Sequence, residues 1–552
     1  MMYSTRFQRF HPSLRAAFSA ACLALTTALP FQIGDAAPNG NRAPDAPGGL
    51  LLNLMAEPLG IPAGPLHFSW IVNDPDRNER QTAYQILVSN DPQALQSDRG
   101  TTWDSGRIES GESSNAIYGG PQLAADRFYY WKVRTWDKLG QVGAYSPAQR
   151  FTTGLQDNWQ ARALWTEPGP AGGSANPRFL FLRKEFQLDA KPIECAIVHV
   201  TAVSPDPGSQ YVYKLYLNDQ LVGLGPERGF QGVQRYNSFD VTHLLRAGEA
   251  NAFAAVNYSA HKERSFLLQM TLHYADGSRR TIGTDETWKA MPADSIYVDQ
   301  GNVGFGNYFY MPREGIDARA YPFGWKRVGY ADEHWAQAGI RTMPPQLEPS
   351  KTDNTESLLK APARFIEKAD GRYFIDFGRA ALAGIRLEVL GEAGQQVEIR
   401  LGEELSAPDT VRHKMRTGNI YQEVWTLADG PQTLEHFGYR VFRYAEILNA
   451  PQDFDASQIR AVVYRHPFDE DASHFISSDE VLNDVWELCK HSIRATSLDV
   501  YVDTHTRERR NYEGDALINQ LSHYAVAREY ALPRYSVEYL YYSPTWPTEY
   551  KL

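Results

Sequence analysis

Residues 501–524, Y-V-D-T-H-T-R-E-R-R-N-Y-E-G-D-A-L-I-N-Q-L-S-H-Y, lie where the chain changes from strand patterns to helical ones. Within them Asp503, Arg507, Glu508, Glu513 and Asp515 crowd together, interleaved with Tyr501, Tyr512 and Tyr524. Acidic runs are most often solvated surface. Here opposite charges alternate tightly, so the carboxylates can be held and oriented. Gly514 sits between two acids and lets the backbone turn closely as an apolar helical pattern begins. Oriented carboxylates beside aromatic rings and a fixed arginine suit acid catalysis on a sugar.

Working outward, the 552-residue length exceeds one core and implies several domains. Hydrophobic residues at 43% and charged residues at 22% are ordinary for a globular protein. Residues 1–36 read as an export signal. Arg6, Arg9 and Arg15 precede the apolar run Ala16–Leu29, and Gly34-Asp35-Ala36 offers a cleavage site. That run is short for a bilayer span, so no membrane insertion is expected. Removing the segment deletes three Arg and one Asp and moves the net charge from −11 to −13. Such acidity argues against nucleic acid as a partner. Cys195 and Cys489 then remain, far apart, and are expected as two buried thiols without a disulfide. The expected location is periplasmic or extracellular, and a homodimer stays open.

Residues 37–49 are rich in Pro, Gly and Asn and read as a linker. Residues 50–155 carry short alternating strands such as Ala83–Ser89 and Phe128–Asp137 and resemble a fibronectin type III module. Residues 156–345 form a second β-rich unit that resembles a jelly-roll, galactose-binding-like domain. Its Gly223-x-Gly225 pair precedes no helix pattern and so makes no phosphate cradle. Residues 346–466 carry Y-F-I-D-F-G-R at Tyr373–Arg379 and F-G-Y-R-V-F-R-Y-A-E-I at Phe437–Ile447, the alternation of a β-sandwich. Glu403 and Glu404, adjacent at a strand end, point to opposite faces and read as solvated rim. From residue 467 the pattern is helical. Ser477 and Glu480 form a candidate capping box. Val481, Val485, Cys489 and Ile493 follow as one stripe, and a second helix ends before Pro533.

In this order of modules the chain resembles a bacterial α-L-rhamnosidase of glycoside hydrolase family 78. The most specific motif is D-x-x-x-R-E-x-x-x-[W/Y]-x-G-D, here Asp503, Arg507, Glu508, Tyr512, Gly514 and Asp515. The family usually has Trp at Tyr512 and commonly Pro at His505; Tyr keeps a ring face for the sugar. The resemblance implies a mainly β multidomain protein that leads into an (α/α)6 six-hairpin toroid. It implies hydrolysis of terminal α-L-rhamnose from glycans or glycosides by inversion, with no metal and no cofactor. Glu508 would be the general acid, Asp503 and Asp515 would hold sugar hydroxyls, Arg507 would orient them, and Tyr512 would line the pocket. Asp503-x-His505, without further clustered ligands, is weak as a metal pair.

Twelve helices need about 150 residues before loops, and residues 467–552 supply 86. The helical domain is therefore expected to be incomplete, with the base past Leu552 and apolar helix faces unpartnered. The alternative readings are a glycan-binding protein without catalysis and an inactive fragment.

Overall fold

A computed structural model describes residues 41–62, 64–166, 178–203, 211–230, 232–260, 263–304 and 309–541. The export segment lies outside the described residues, as do residues 37–40 of the linker. The linker's end does not: the first strand, Asp45–Leu52, begins inside that tract and pairs with His67–Asn73. Leu50 and Leu52 are buried there, and Gly49 adopts φ +55, so a locally turned strand with a buried face overrides the Pro/Gly composition.

The first module packs a three-stranded sheet near a five-stranded one built on Ala83–Ser89 and Phe128–Trp136. Alternation along each strand sends Phe68, Trp70, Ile86, Val88, Trp131 and Val133 into one core. Burying each aliphatic or Phe side chain stabilises by about 1.5–3 kcal/mol. A short helix, α1 (Pro92–Gln96), is capped by Asp91 at an edge of this module.

The second module is a two-sheet sandwich of six and seven strands. Its centre is Phe179–Gln187 paired with Ala250–Tyr258, and Ile193–Val203 paired with Ser265–Tyr274. Gly223 and Gly225 lie in a strand, Gln220–Gly225, in keeping with the absence of a phosphate loop. The last strand of this module, Leu347–Pro349, pairs parallel with Gln234–Tyr236. The module therefore extends past the boundary placed at residue 345.

The third module is an eight-stranded sheet organised on the long strand Tyr373–Gly391. In D-F-G-R, Asp376 takes both Arg443 donors at 2.8 Å and accepts from the Gly378 amide at 2.6 Å. Gly378 has φ +87, and the pairing register shifts between Asp376 and Ala381. Only a residue free of a Cβ takes that conformation without strain.

One hydrophobic cluster runs through the second and third modules, from Phe179 and Trp325 to Phe437 and Ile447. A buried polar network sits in the same region. Arg440 is fully buried, ion-paired to Glu423 and 3.6 Å from Glu314. Glu314 accepts from the Phe437 and Gly438 amides at 2.6 and 2.8 Å. Burial alone would raise the Glu423 carboxyl, but Arg440 and His436 outweigh it and hold the group down at about 2.

Three helices follow: α2 (Glu480–Thr496), α3 (Glu513–Val526) and α4 (Ala531–Tyr541). Asp479, not Ser477, caps α2, accepting from the Val481 amide at 2.9 Å. Ser477 is occupied one turn earlier: its amide donates to Asn483 and its hydroxyl contacts the Asp479 backbone. Asp479→Ala should therefore lower stability by about 1 kcal/mol in urea unfolding. Ser477→Ala should cost clearly less, and the reverse order would return the cap to Ser477.

Pro533 is not a stop signal here. It is the third residue of α4, where a missing N–H removes no intrahelical bond. Val481 is 68% and Val485 50% exposed, and Cys489 is exposed with them. The apolar stripe of α2 thus lies open, as expected. The expectation of two buried thiols fails for the same reason: Cys489 shares that stripe, and Cys195 is half-buried. Both cysteines are free. No described helix is long and apolar enough to cross a membrane.

Candidate active site

The loop between α2 and α3 is held from below by a fully buried arginine. Arg509 donates from Nε to the His505 carbonyl at 2.8 Å and from Nη2 to the Tyr439 carbonyl at 3.2 Å. Its guanidinium stacks 4.0 Å from the centroid of the Tyr439 ring and 4.3 Å from that of Phe309. Arg509 itself adopts φ +57, which reverses the backbone directly after Glu508. The second module contributes Arg228, which donates to the Arg509 carbonyl at 2.9 Å and pairs with Asp499 at 2.9 Å. From the third module, Asn419 donates to the Thr506 carbonyl at 2.8 Å.

On this base, Glu508 is 7% exposed. Tyr512 donates its hydroxyl to Glu508 Oε2 at 2.5 Å, and Arg507 Nη2 lies 2.5 Å from Oε1. Arg507 also reaches Asp503 Oδ2 at 3.5 Å, and its side chain is 48% exposed. Asp503 donates its amide to the Arg510 carbonyl at 3.0 Å and accepts the Arg510 amide on Oδ1 at 3.3 Å. Burial raises its carboxyl above the ordinary value, the Arg510 and Thr504 amides lower it, and the nearby Glu508 adds a further upward push. Four of the five residues picked out by the motif therefore share one contact set. Asp515, half-buried in the first turn of α3, is in none of the bonds just described.

His505 is no metal ligand in waiting. Its Nε2 lies 2.7 Å from the Thr496 carbonyl and its Nδ1 3.2 Å from the Tyr439 hydroxyl. Burial first, then Arg228 and Arg509, push its ring down to about 3, so it stays neutral. It props the loop against Tyr439 and the end of α2.

Glu403 differs from the rim reading. The residue is exposed overall, yet its Oε1 accepts the Thr506 hydroxyl at 2.6 Å, and desolvation raises its carboxyl. It lines a 590 Å³ cavity with Arg379, Asp484, His491, His505 and Thr506, on the α2 side of the loop. Glu508 and Asp503 are not among the residues that line it. Glu404 pairs outward with Arg416 at 3.2 Å, in keeping with a rim.

Arg509, Arg228 and Asn419 escaped the sequence reading as parts of this site. Arg509 showed only as one more charge in an alternating run, and the other two lie far away along the chain. No spacing rule connects them.

With this geometry in view, four family models match the chain in order. They are described as Rha78A-like N-terminal immunoglobulin domain (residues 47–157), alpha-L-rhamnosidase N-terminal domain (191–356), bacterial alpha-L-rhamnosidase concanavalin-like domain (366–465) and bacterial alpha-L-rhamnosidase 6 hairpin glycosidase domain (470–540). An alpha-L-rhamnosidase of Formosa agariphila is 26% identical over 522 residues, covering 85% of this chain and 52% of the relative. One from Streptomyces avermitilis is 28% identical over 377 residues, covering 64% of this chain and 34% of its own length. The solved alpha-L-rhamnosidase from Dictyoglumus thermophilum superposes with a TM-score of 0.72 at 25% identity, over 87% of this chain and 55% of that one. The Streptomyces avermitilis alpha-L-rhamnosidase complexed with L-rhamnose gives 0.72 at 20% identity, over 86% and 63%, a likeness of fold.

Three β modules leading into paired helices match, in order, the domain models of a multi-module glycoside hydrolase family. The chain belongs to the bacterial α-L-rhamnosidase family. It spans about half the length of the curated relatives it matches most fully.

Proposed function

We propose that this chain supplies the acid side of an inverting hydrolysis that releases terminal non-reducing α-L-rhamnose from glycans or glycosides. The observation that carries this reading is the buried Glu508 carboxylate, gripped by Tyr512 and Arg507 inside the family motif. In the proposed reaction the Glu508 carboxyl gives its proton to the glycosidic oxygen as the bond from that oxygen to the anomeric carbon breaks. Positive charge develops on the sugar ring, and a water adds from the opposite face. A base takes the proton of that water, and we assign it to no residue of this chain. Inversion calls for a carboxylate about 6.5–9.5 Å from the acid, with the water between them.

Arg507 occupies Glu508 Oε1 in the unliganded site, and half of its side chain is in solvent. We infer that it swings toward the sugar hydroxyls on binding, together with Asp503 and Asp515, and frees the acid. Tyr512 keeps its ring for the sugar face and its hydroxyl for Glu508. The basic and apolar start of the sequence favours action outside the cytoplasm.

Tyr512→Phe separates the two roles of Tyr512. Loss of a hydrogen bond to a charged group costs about 1.5–3 kcal/mol, so kcat/KM should fall roughly 10–150-fold. The loss should appear in kcat, with KM nearly unchanged because the ring face remains. A rise in KM alone would make Tyr512 a sugar contact without influence on the acid. Steady-state kinetics on an alkyl α-L-rhamnoside, in a full-length enzyme carrying this chain, decide between these, and absence of turnover there with retained affinity would favour the glycan-binding alternative.

A further inference from the structure

Away from Glu508, three side chains from three separate parts of the chain converge in the interior. Asp353 lies on the connection between the second and third modules. His466 follows the strand Ile459–Arg465, and Glu529 sits in the turn between α3 and α4. Their ligand-type atoms all lie within 4.8 Å of one another. His466 Nε2 is 3.5 Å from Glu529 Oε1.

Each residue is anchored through its surroundings. The buried carboxylate of Glu227 takes the amides of Lys351 and Thr352 and the Thr352 hydroxyl, which fixes the backbone next to Asp353. The His466 amide donates to the Ser497 carbonyl at 3.0 Å. Glu529 Oε1 accepts the Ala531 and Leu532 amides at 2.9 Å each and so caps α4.

What these anchors leave open points inward. His466 is 1% exposed, and neither of its ring nitrogens has a hydrogen-bond partner of good geometry. Glu529 Oε2 is likewise buried without a partner. His523 adds a further buried nitrogen: its Nδ1 meets the Tyr501 hydroxyl at 2.5 Å, while Nε2 is unpaired. The groups that bear most strongly on Asp353, His466 and Glu529 are one another, Glu356, His523 and the backbone at Leu498 and Leu532, with no lysine or arginine among them. Two carboxylates face one imidazole there, with His466 3.5 Å from Glu529, so at most one of the two negative charges is balanced within the cluster, which is costly inside a protein.

We propose that Asp353, His466 and Glu529 form a structural site for a divalent transition-metal ion of the zinc class, with His523 available as a fourth ligand. Imidazole with carboxylate suits Zn²⁺, whereas Ca²⁺ and Mg²⁺ call for more oxygens. Zinc–ligand distances of about 2.0–2.2 Å bring ligand atoms to about 3.5 Å from one another. The His466–Glu529 spacing already meets this, and Asp353 lies within 4.8 Å of both. In the site, the Tyr501 hydroxyl would orient His523 from the outer shell. The ion would tie the connection between two β modules, the exit of the sandwich and the α3–α4 turn to one point.

The test uses the full chain, stripped with a chelator and then dialysed against micromolar ZnCl₂. We expect roughly one Zn²⁺ retained per chain, a higher thermal midpoint with Zn²⁺ and no such rise with CaCl₂. Co²⁺ in its place should give the visible absorption of a low-coordinate nitrogen–oxygen site. Asp353→Asn, similar in size and with folding checked by circular dichroism, should lose most of the retained metal, as should His466→Gln. Failure of the wild-type chain to hold Zn²⁺ above a buffer blank overturns the proposal. So does retention unchanged in a folded Asp353→Asn variant. If both variants fail to fold, wild-type stoichiometry and the Co²⁺ spectrum decide alone.

Discussion

In a full-length enzyme carrying this chain, Glu508→Gln lowers kcat/KM for an alkyl α-L-rhamnoside by about 10²–10⁴-fold, the usual contribution of a positioned general acid. The size of the loss depends on the leaving group. An alkoxide is a poor leaving group and needs a proton in the transition state. A dinitrophenolate departs without one. On a dinitrophenyl rhamnoside the same variant should therefore lose far less, and the ratio of the two losses isolates the acid role. Glutamine keeps the shape of the side chain and can still accept from Tyr512, so the buried position at 7% exposure is preserved. An equal loss on both substrates would instead mark Glu508 as a residue that shapes the site or stabilises charge on the sugar.

Arg440→Met destabilises the β modules by about 3–5 kcal/mol, the cost of leaving a buried charge without its partner. Arg440 is fully buried with Glu423 and Glu314, so the variant leaves carboxylates in an apolar interior. The urea midpoint reads the loss directly. Glu423→Gln combined with Arg440→Met should recover part of it, since a pair removed whole often costs little. The same pairing predicts an acid limb. The folded-state value for Glu423, about 2, lies below its ordinary 4.5, so its contribution is complete above about pH 4.5 and fades as pH falls toward 2. A stability profile flat over that window, or no change in the urea midpoint, would mean that the network is dispensable.

These two sites were unequally legible. The motif from Asp503 to Asp515 is local, and the structure joins four of its five chosen residues through contacts within ten positions. Strands were legible for the same reason: alternation along Phe128–Trp136 or Gln396–Gly402 is read residue by residue. The network around Arg440 was not, because Glu314 lies more than a hundred positions away and no periodicity links them. Local competition misled the cap assignment. Ser477 and Asp479 both suit an N-cap, and only the Asn483 side chain, folding back onto Ser477, decides between them. Pro533 misled in another way, since a proline in a first turn and one after a helix look alike in sequence. The Asp353–His466–Glu529 cluster, drawn from three distant segments, leaves no trace in spacing at all.

The central claim is that Glu508 serves as acid in an inverting hydrolysis of α-L-rhamnosides. Proton NMR of the first-formed sugar, recorded during cleavage of an alkyl α-L-rhamnoside by a full-length enzyme carrying this chain, is the direct test. Inversion gives β-L-rhamnose first, followed by slow mutarotation. α-L-Rhamnose as the first product, or no release of rhamnose above the uncatalysed rate, would contradict it.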